Sequence, residues 1–279
     1  SKELDYMKGE CLGLRAFLHF DVARLFAEDY TRSTSSTRGI PYSTTFDLNN
    51  KELLTLHKTY EAILADLNEA ETLLTNDTVV NVETSPSSDY LKGRGVLFNK
   101  YAVAATKARV YYAMGNYTEA ARYAQQVLDA TSNFKLKKLS SLDDVKRYPA
   151  NGEMIFGLYN DKLSSNISEM FLNATSRGNF TEARRDIEDL YDKSSLSATS
   201  TDLRLTTYYR EATAVSSGKT FSFVRFIEST AAVTNSPLKG ITLIRLPEMY
   251  YILAEANYDT NPTKAVQYLN DVRNSRGLE

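Results

Sequence analysis

Residues 111–130, YYAMGNYTEAARYAQQVLDA, read as the end of one helix, a tight turn at Gly115-Asn116 and a second helix folded back on the first. Gly suits the left-handed backbone that such a turn needs, because it has no β-carbon to clash. Two helices joined this closely must lie antiparallel, and one pair alone leaves an apolar face uncovered, so the chain has to supply further helices to pack against it.

The hairpin fits part of a 34-residue repeat in which small residues sit where paired helices touch and Gly breaks the chain before the second helix. Ala108, Tyr111, Gly115, Tyr117, Ala120 and Leu128 occupy those positions, while Ala104, Lys107, Ala124 and Ser132 stand where the tetratricopeptide pattern has Trp, Leu, a second aromatic and Pro. A weaker copy closes the chain, LIRLPEMYYILAEANYDTNPTKAVQYLNDVRNSRGLE, with Ala265 matching Ala120 and Thr260 in the place of Gly115. Its turn rests on Asn261-Pro262, with Pro at or near the start of the second helix.

Helical periodicity predicts major helices over residues 4–29, 51–74, 97–114, 117–130 and 245–257. In the first, Met7, Cys11, Leu14, Leu18, Val22 and Leu25 recur at spacings of three and four, widened by Phe17, Phe20 and Phe26, which predicts a helix buried on more than one side with Cys11 in its apolar stripe. Asn49 or Asn50 is the expected cap of the second. Between them lies a Ser/Thr-rich loop broken by Gly39 and Pro41. Residues 131–242 differ: EMIFGLYN and FSFVRFI hint at isolated strands joined by Ser, Thr and Gly.

Lys and Arg total 33 against 35 Asp and Glu, a formal charge of -2, so no whole-chain field attracts nucleic acid or an anionic membrane surface. No run of about 18 apolar residues occurs, so no helix is expected to span a bilayer. One Cys cannot form an internal disulfide, and with His19 and His57 as the only histidines a thiolate and imidazole zinc site is not expected.

Phosphate loops, dinucleotide fingerprints and nucleophile elbows are missing from the sequence. Each histidine lies in an apolar-periodic helix with no nameable partner and reads as a satisfied or surface side chain rather than a catalytic base, with no role assigned. Glu182 and Asp186, in TEARRDIEDLYDK, are four apart beside Arg185 and read as an ordinary solvated helix face rather than a glycosidase pair. Neither catalytic residues nor cofactors are expected. The chain has 19 Tyr, 12 Phe and no Trp. Tyr30, Tyr42 and Phe46, in and beside the long loop after the first helix, are the candidate ligand-binding aromatics, with Gly39 and Pro41 setting a turn that presents Tyr42.

Three segments resemble a known family. GECLGLRAFLHFDVARLFAEDY resembles the "E-A-x-x-L-R-A-x-x-x-F-D-L-x-R-L-F" helix of the SusD/RagB family, with Leu14, Arg15, Ala16, Phe20, Asp21, Arg24, Leu25 and Phe26 matching. LIRLPEMYYILAEANY resembles its "I-R-L-A-E-M-Y-L-I-L-A-E-A", and AVQYLNDVRNSRG its "A-x-x-x-L-N-x-V-R-x-R-A-G". The resemblance implies a mostly α fold, a tetratricopeptide-like helical-repeat scaffold with an irregular loop-rich insertion. It implies one SusD-like domain over 1–279, with scaffold at 1–130 and 243–279 and a variable region at 131–242, expected to lack its native N-terminus.

The same resemblance implies a non-enzymatic, surface-exposed outer-membrane lipoprotein that binds a nutrient, an oligosaccharide in the leading expectation. Its partner would be a SusC-like TonB-dependent transporter, and its membrane contact a lipid anchor not present in this chain. A tetratricopeptide-type adaptor gripping a peptide is the alternative.

Overall fold

The computed structural model describes residues 1–78, 90–91, 94–136, 152–160, 162–172, 181–191, 202–212, 220–223 and 240–278. Its scaffold is helical. Helix α1 (Lys2–Phe26) packs along α2 (Leu56–Leu73), and α3 (Lys100–Ala113) folds onto α4 (Tyr117–Leu128). Helix α4 then packs on α8 (Leu246–Ala256), which pairs with α9 (Pro262–Ser275). The shorter helices are α5 (Leu163–Leu172), α6 (Arg184–Leu190) and α7 (Leu203–Tyr208). A mostly α fold is thus what the chain adopts.

Small residues let these helices approach closely. Ala102, Ala104, Ala105 and Ala108 of α3 and Ala120 and Ala124 of α4 are fully or almost fully buried, with Ile63, Leu67, Met249 and Leu253 filling the core between them. The hairpin turn forms as expected: Gly115 has φ +72°, and the Asn116 side chain caps α4 by accepting from Glu119 N–H at 3.2 Å. The second copy also forms, with Pro262 opening α9 behind the Asn261 cap.

Helix α1 corrects the expected face in part: of the predicted residues Leu14, Phe17 and Phe20 do pack on the core. Leu4, Met7, Leu18, Val22, Leu25 and Phe26 are 39–80 % exposed, and Cys11 is exposed too. The buried face is Tyr6, Gly9, Leu12, Gly13, Ala16, Phe17, Phe20 and Ala23. Apolar residues stand on more than one side of the helix, so spacing cannot choose between them; the face carrying Gly9, Gly13, Ala16 and Ala23 wins because its small residues allow closer contact.

Helix α2 begins at Leu56, not near residue 51, and neither Asn49 nor Asn50 caps it. Thr55 does, accepting from Lys58 N–H, because Leu53–Thr55 (β2) is extended and pairs antiparallel with Arg38–Pro41 (β1). Gly39 and Pro41 therefore lie in a strand instead of a loop turn. A β-carbon at Gly39 would crowd the Thr55 carbonyl at 2.8 Å, so only Gly lets β1 lie this close to the start of α2.

The strands beyond residue 131 are paired rather than isolated. Met154–Tyr159 (β3) pairs antiparallel with Gly240–Arg245 (β7), and Thr220–Phe223 (β6) lies between Thr181–Ala183 (β4) and Tyr209–Ala212 (β5). The rest of FSFVRFI lies outside the described residues. Phe156 of β3 meets Phe17 and Phe98 at centroid distances of 5.8 and 5.0 Å, joining this region to the main core. Glu153 accepts both terminal nitrogens of Arg276 at 2.9 Å and Arg245 Nη2 at 2.7 Å. Glu182 sits in β4 opposite Phe221 and Asp186 in α6, so the two do not share one helix face.

A tyrosine-lined recess at the end of the first helix

At the C-terminal end of α1 the chain turns sharply. Ala27 is extended, and Asp29 caps a single 3-10 turn over Tyr30–Arg32, accepting from the Thr31 N–H at 2.9 Å and the Thr31 hydroxyl at 2.7 Å. Those two bonds hold the Asp29 carboxyl below the usual carboxylate range. The cap fixes Tyr30 with its ring 4.6 Å from Tyr60 and 4.9 Å from His57. Ser33 Oγ donates to the Tyr30 carbonyl at 2.6 Å, and having spent its one proton it accepts from His57 Nε2 at 3.0 Å.

Across from this turn stand Tyr112, at the end of α3, and Tyr117, at the start of α4, packed edge to face at 5.8 Å. Between the two walls is a recess of about 400 Å³, bordered by Tyr30, Tyr60, Tyr112, Tyr117, Arg24 and Asp29. That volume lies within the roughly 300–1,000 Å³ of small-molecule sites. Gly115 holds the walls together: a β-carbon there would lie 3.1 Å from Thr31 Cγ2, so the hairpin turn abuts the 3-10 turn. Burial pushes up the Tyr30 hydroxyl and carries that of Tyr60 up to about 12. A hydrogen bond to Glu255, then burial, pushes Tyr112 up to about 12, so all three are protonated donors at neutral pH.

The three candidate aromatics do not share this recess. Tyr30 lines it. Tyr42 is tied to the scaffold: its hydroxyl donates to Asp66 Oδ2 at 2.5 Å and its ring lies 4.1 Å from that of His19. Phe46 is fully exposed. His19 has both ring nitrogens satisfied. Its Nδ1 donates to the Arg15 carbonyl at 2.8 Å and its Nε2 accepts from Ser43 N–H at 3.1 Å, which assigns the neutral Nδ1–H tautomer. Sequence reasoning missed Tyr60, Tyr112 and Tyr117 as recess residues. Tyr112 and Tyr117 flank the Gly115-Asn116 turn, so the hairpin itself carried the signal.

Among the described residues no group of three or more His, Cys, Asp or Glu side chains is placed to hold a metal ion. Nor is any helix among them long and apolar enough to cross a membrane.

Residues 1–112, which include α1 and the Tyr30 turn, match the SusD-like family model described as "Starch-binding associating with outer membrane". That match spans the first 112 of the chain's 279 residues and makes this part similar to the SusD-like family. The chain's fold is that of solved SusD-like structures. A SusD superfamily protein from Bacteroides thetaiotaomicron superposes with a TM-score of 0.74 at 21 % identity, over 99 % of this chain and 60 % of its own. A SusD-like carbohydrate-binding protein from Bacteroides vulgatus gives 0.68 at 20 %, over 99 % and 56 %. A laminarin-binding SusD-like protein gives 0.64 at 18 %, over 100 % and 65 %. The chain thus spans less than two thirds of the length of each. No curated protein matches it.

Proposed function

We propose that this chain is a non-enzymatic nutrient-binding protein of the outer-membrane surface, which binds an oligosaccharide and delivers it to a SusC-like TonB-dependent transporter. The observation that supports this reading most is the tyrosine-lined recess beside Tyr30, whose lining residues other than Ala113 and Tyr117 lie within the 112 residues that match a family described as starch-binding. Flat rings beside hydroxyl, carboxylate and guanidinium groups are what a pyranose needs: apolar faces for its C–H side and partners for its hydroxyls. In this reading Tyr30 supplies a binding face, Tyr42 anchors the loop, and exposed Phe46 offers a further ring at the loop surface. The chain acts as one SusD-like domain, with 1–130 and 243–279 as scaffold and 131–242 as its variable part, carried at the membrane by a lipid anchor.

The test is a screen of the purified chain against neutral and acidic oligosaccharides by calorimetry, followed by Tyr30→Ala on whichever binds. Loss of affinity in a folded Tyr30→Ala protein supports the reading. A chain that binds no glycan but releases reducing ends, or binds only peptides, overturns it.

A further inference from the structure

Beyond the rim of the Tyr30 recess, a second recess of about 350 Å³ opens between α1, α3 and α8, and Arg24, Tyr112 and Ala113 border both. Its floor is apolar, made by Phe20, Ala113 and Ile252. On α8, Glu248, Tyr251, Ile252 and Glu255 recur at helical spacing and so present one face to it. Tyr251 is 48 % exposed, an aromatic face available at the wall. Glu255 accepts the Tyr112 hydroxyl at Oε2, 2.7 Å away, and a carboxylate has acceptor positions beyond that one.

The charges are unevenly committed. Arg109 spends its fork on Glu248, Nε to Oε1 at 2.5 Å and Nη2 to Oε2 at 2.6 Å, and Nη2 also donates to the Leu243 carbonyl. Arg24 pairs with Asp21 at 2.8 Å. Across both recesses the acids are Glu28, Asp29, Glu248 and Glu255, against Arg24 and Arg109. An anionic group entering here meets two arginines already paired and an excess of carboxylates, with little to repay its desolvation.

We propose that the two recesses form one cleft that seats an uncharged, hydroxyl-rich chain of sugar rings and discriminates against acidic ones. The wide, polar half beside Tyr30 and the apolar-floored half beside Tyr251 offer successive ring seats, joined at Tyr112. This inference rests on the glycan-binding reading above and adds a site on α8 and a ligand charge class to it.

The experiment measures binding of malto-, laminari-, xylo- and mannohexaose, and of oligogalacturonate and oligomannuronate of similar length, to the wild type and to Tyr251→Ala and Glu255→Gln. Both substitutions fall on exposed α8 positions, and circular dichroism checks that each variant is folded. The expected result is that a neutral hexaose binds, that Tyr251→Ala weakens it about tenfold, and that the acidic chains bind at least about tenfold more weakly than the best neutral one. Neutral binding unchanged in both variants removes the α8 half from the site and leaves glycan binding standing. An acidic chain bound more tightly than every neutral one overturns the charge class. Failure of all six to bind overturns this inference together with the glycan reading.

Discussion

The Tyr42 hydroxyl and the Arg15 guanidinium converge on the two oxygens of Asp66: Tyr42 donates to Oδ2 at 2.5 Å, Arg15 Nε to Oδ2 and Nη2 to Oδ1, each at 2.7 Å. Asp66 is buried on α2, Arg15 projects from α1, and Tyr42 follows β1, so three elements meet at one carboxylate. Removing the Tyr42 hydroxyl takes away a hydrogen bond to a charged group, a loss of about 1.5 kcal/mol. Tyr42→Phe should lower the melting temperature and leave glycan affinity as it was. An affinity loss at unchanged melting temperature would return Tyr42 to the ligand site.

Gly115 joins the two walls of the recess, and this changes what its substitution should do. At φ +72° any β-carbon is strained, at a cost of about 1 kcal/mol or more, and here it also presses on Thr31 at 3.1 Å. Gly115→Val should lower the melting temperature and weaken ligand binding together, because Thr31 helps hold the Asp29 cap under Tyr30. The sequence alone predicts only the thermal effect. A melting temperature equal to that of the wild type would show that the turn carries no strain.

The hairpin was legible because its information is local: Gly115 and Asn116 punctuate the chain within three residues of the groups they organise. The start of α2 was not, because Leu53–Thr55 reads as helix until β1 pairs with it, and that partner lies some fifteen residues upstream. Of the recess, the sequence singles out Tyr30 and, through the hairpin turn, sets Tyr112 and Tyr117 close together without showing that they face Tyr30. Tyr60, Tyr112 and Tyr117 reach it from α2, α3 and α4, and no spacing along the chain encodes a meeting of four elements. The acidic run at 181–190 misled for the same reason as α2, since Thr181–Ala183 is drawn into a sheet by β6.

Arg94 is fully buried between two acids, with Nη2 2.6 Å from Glu10 Oε1 and Nε 2.8 Å from Asp77 Oδ1. Arg94→Met would leave both carboxyls buried without their cation and should cost about 3–5 kcal/mol. The pair also has a pH signature. Burial raises the Glu10 and Asp77 carboxyls above their ordinary values, against the pull of Arg94. A carboxyl raised in the folded state contributes stability that is full below its unfolded value near 4 and is lost as pH rises through the folded value. The stability of wild type relative to Glu10→Gln should therefore increase as pH is lowered from 7 toward about 4. Denaturant melts of both proteins across that range measure it, and a difference that shrinks on acidification contradicts the assignment.

The two faces of α1 make opposite predictions. Phe20 is 2 % exposed and meets Tyr60 edge to face at 6.0 Å, whereas Leu18, two residues earlier, is 59 % exposed. Phe20→Ala should cost about 3–5 kcal/mol through the cavity it opens. Leu18→Gln removes little buried area and should change stability by no more than about 0.5 kcal/mol. Cys11 lies on the Leu18 side, so a thiol reagent should label it in the native protein without denaturant, as fast as it labels an unfolded control within the limits of local access. Labelling that waits for unfolding, together with a large loss in Leu18→Gln, would turn the helix over and restore the face that the spacing of Met7, Cys11, Leu18, Val22 and Leu25 first suggested. The direction of the result follows from packing: an apolar residue stabilises a helix only where a neighbour covers it, and the neighbours of α1 in this fold, α2 and α3, lie on the glycine and alanine side.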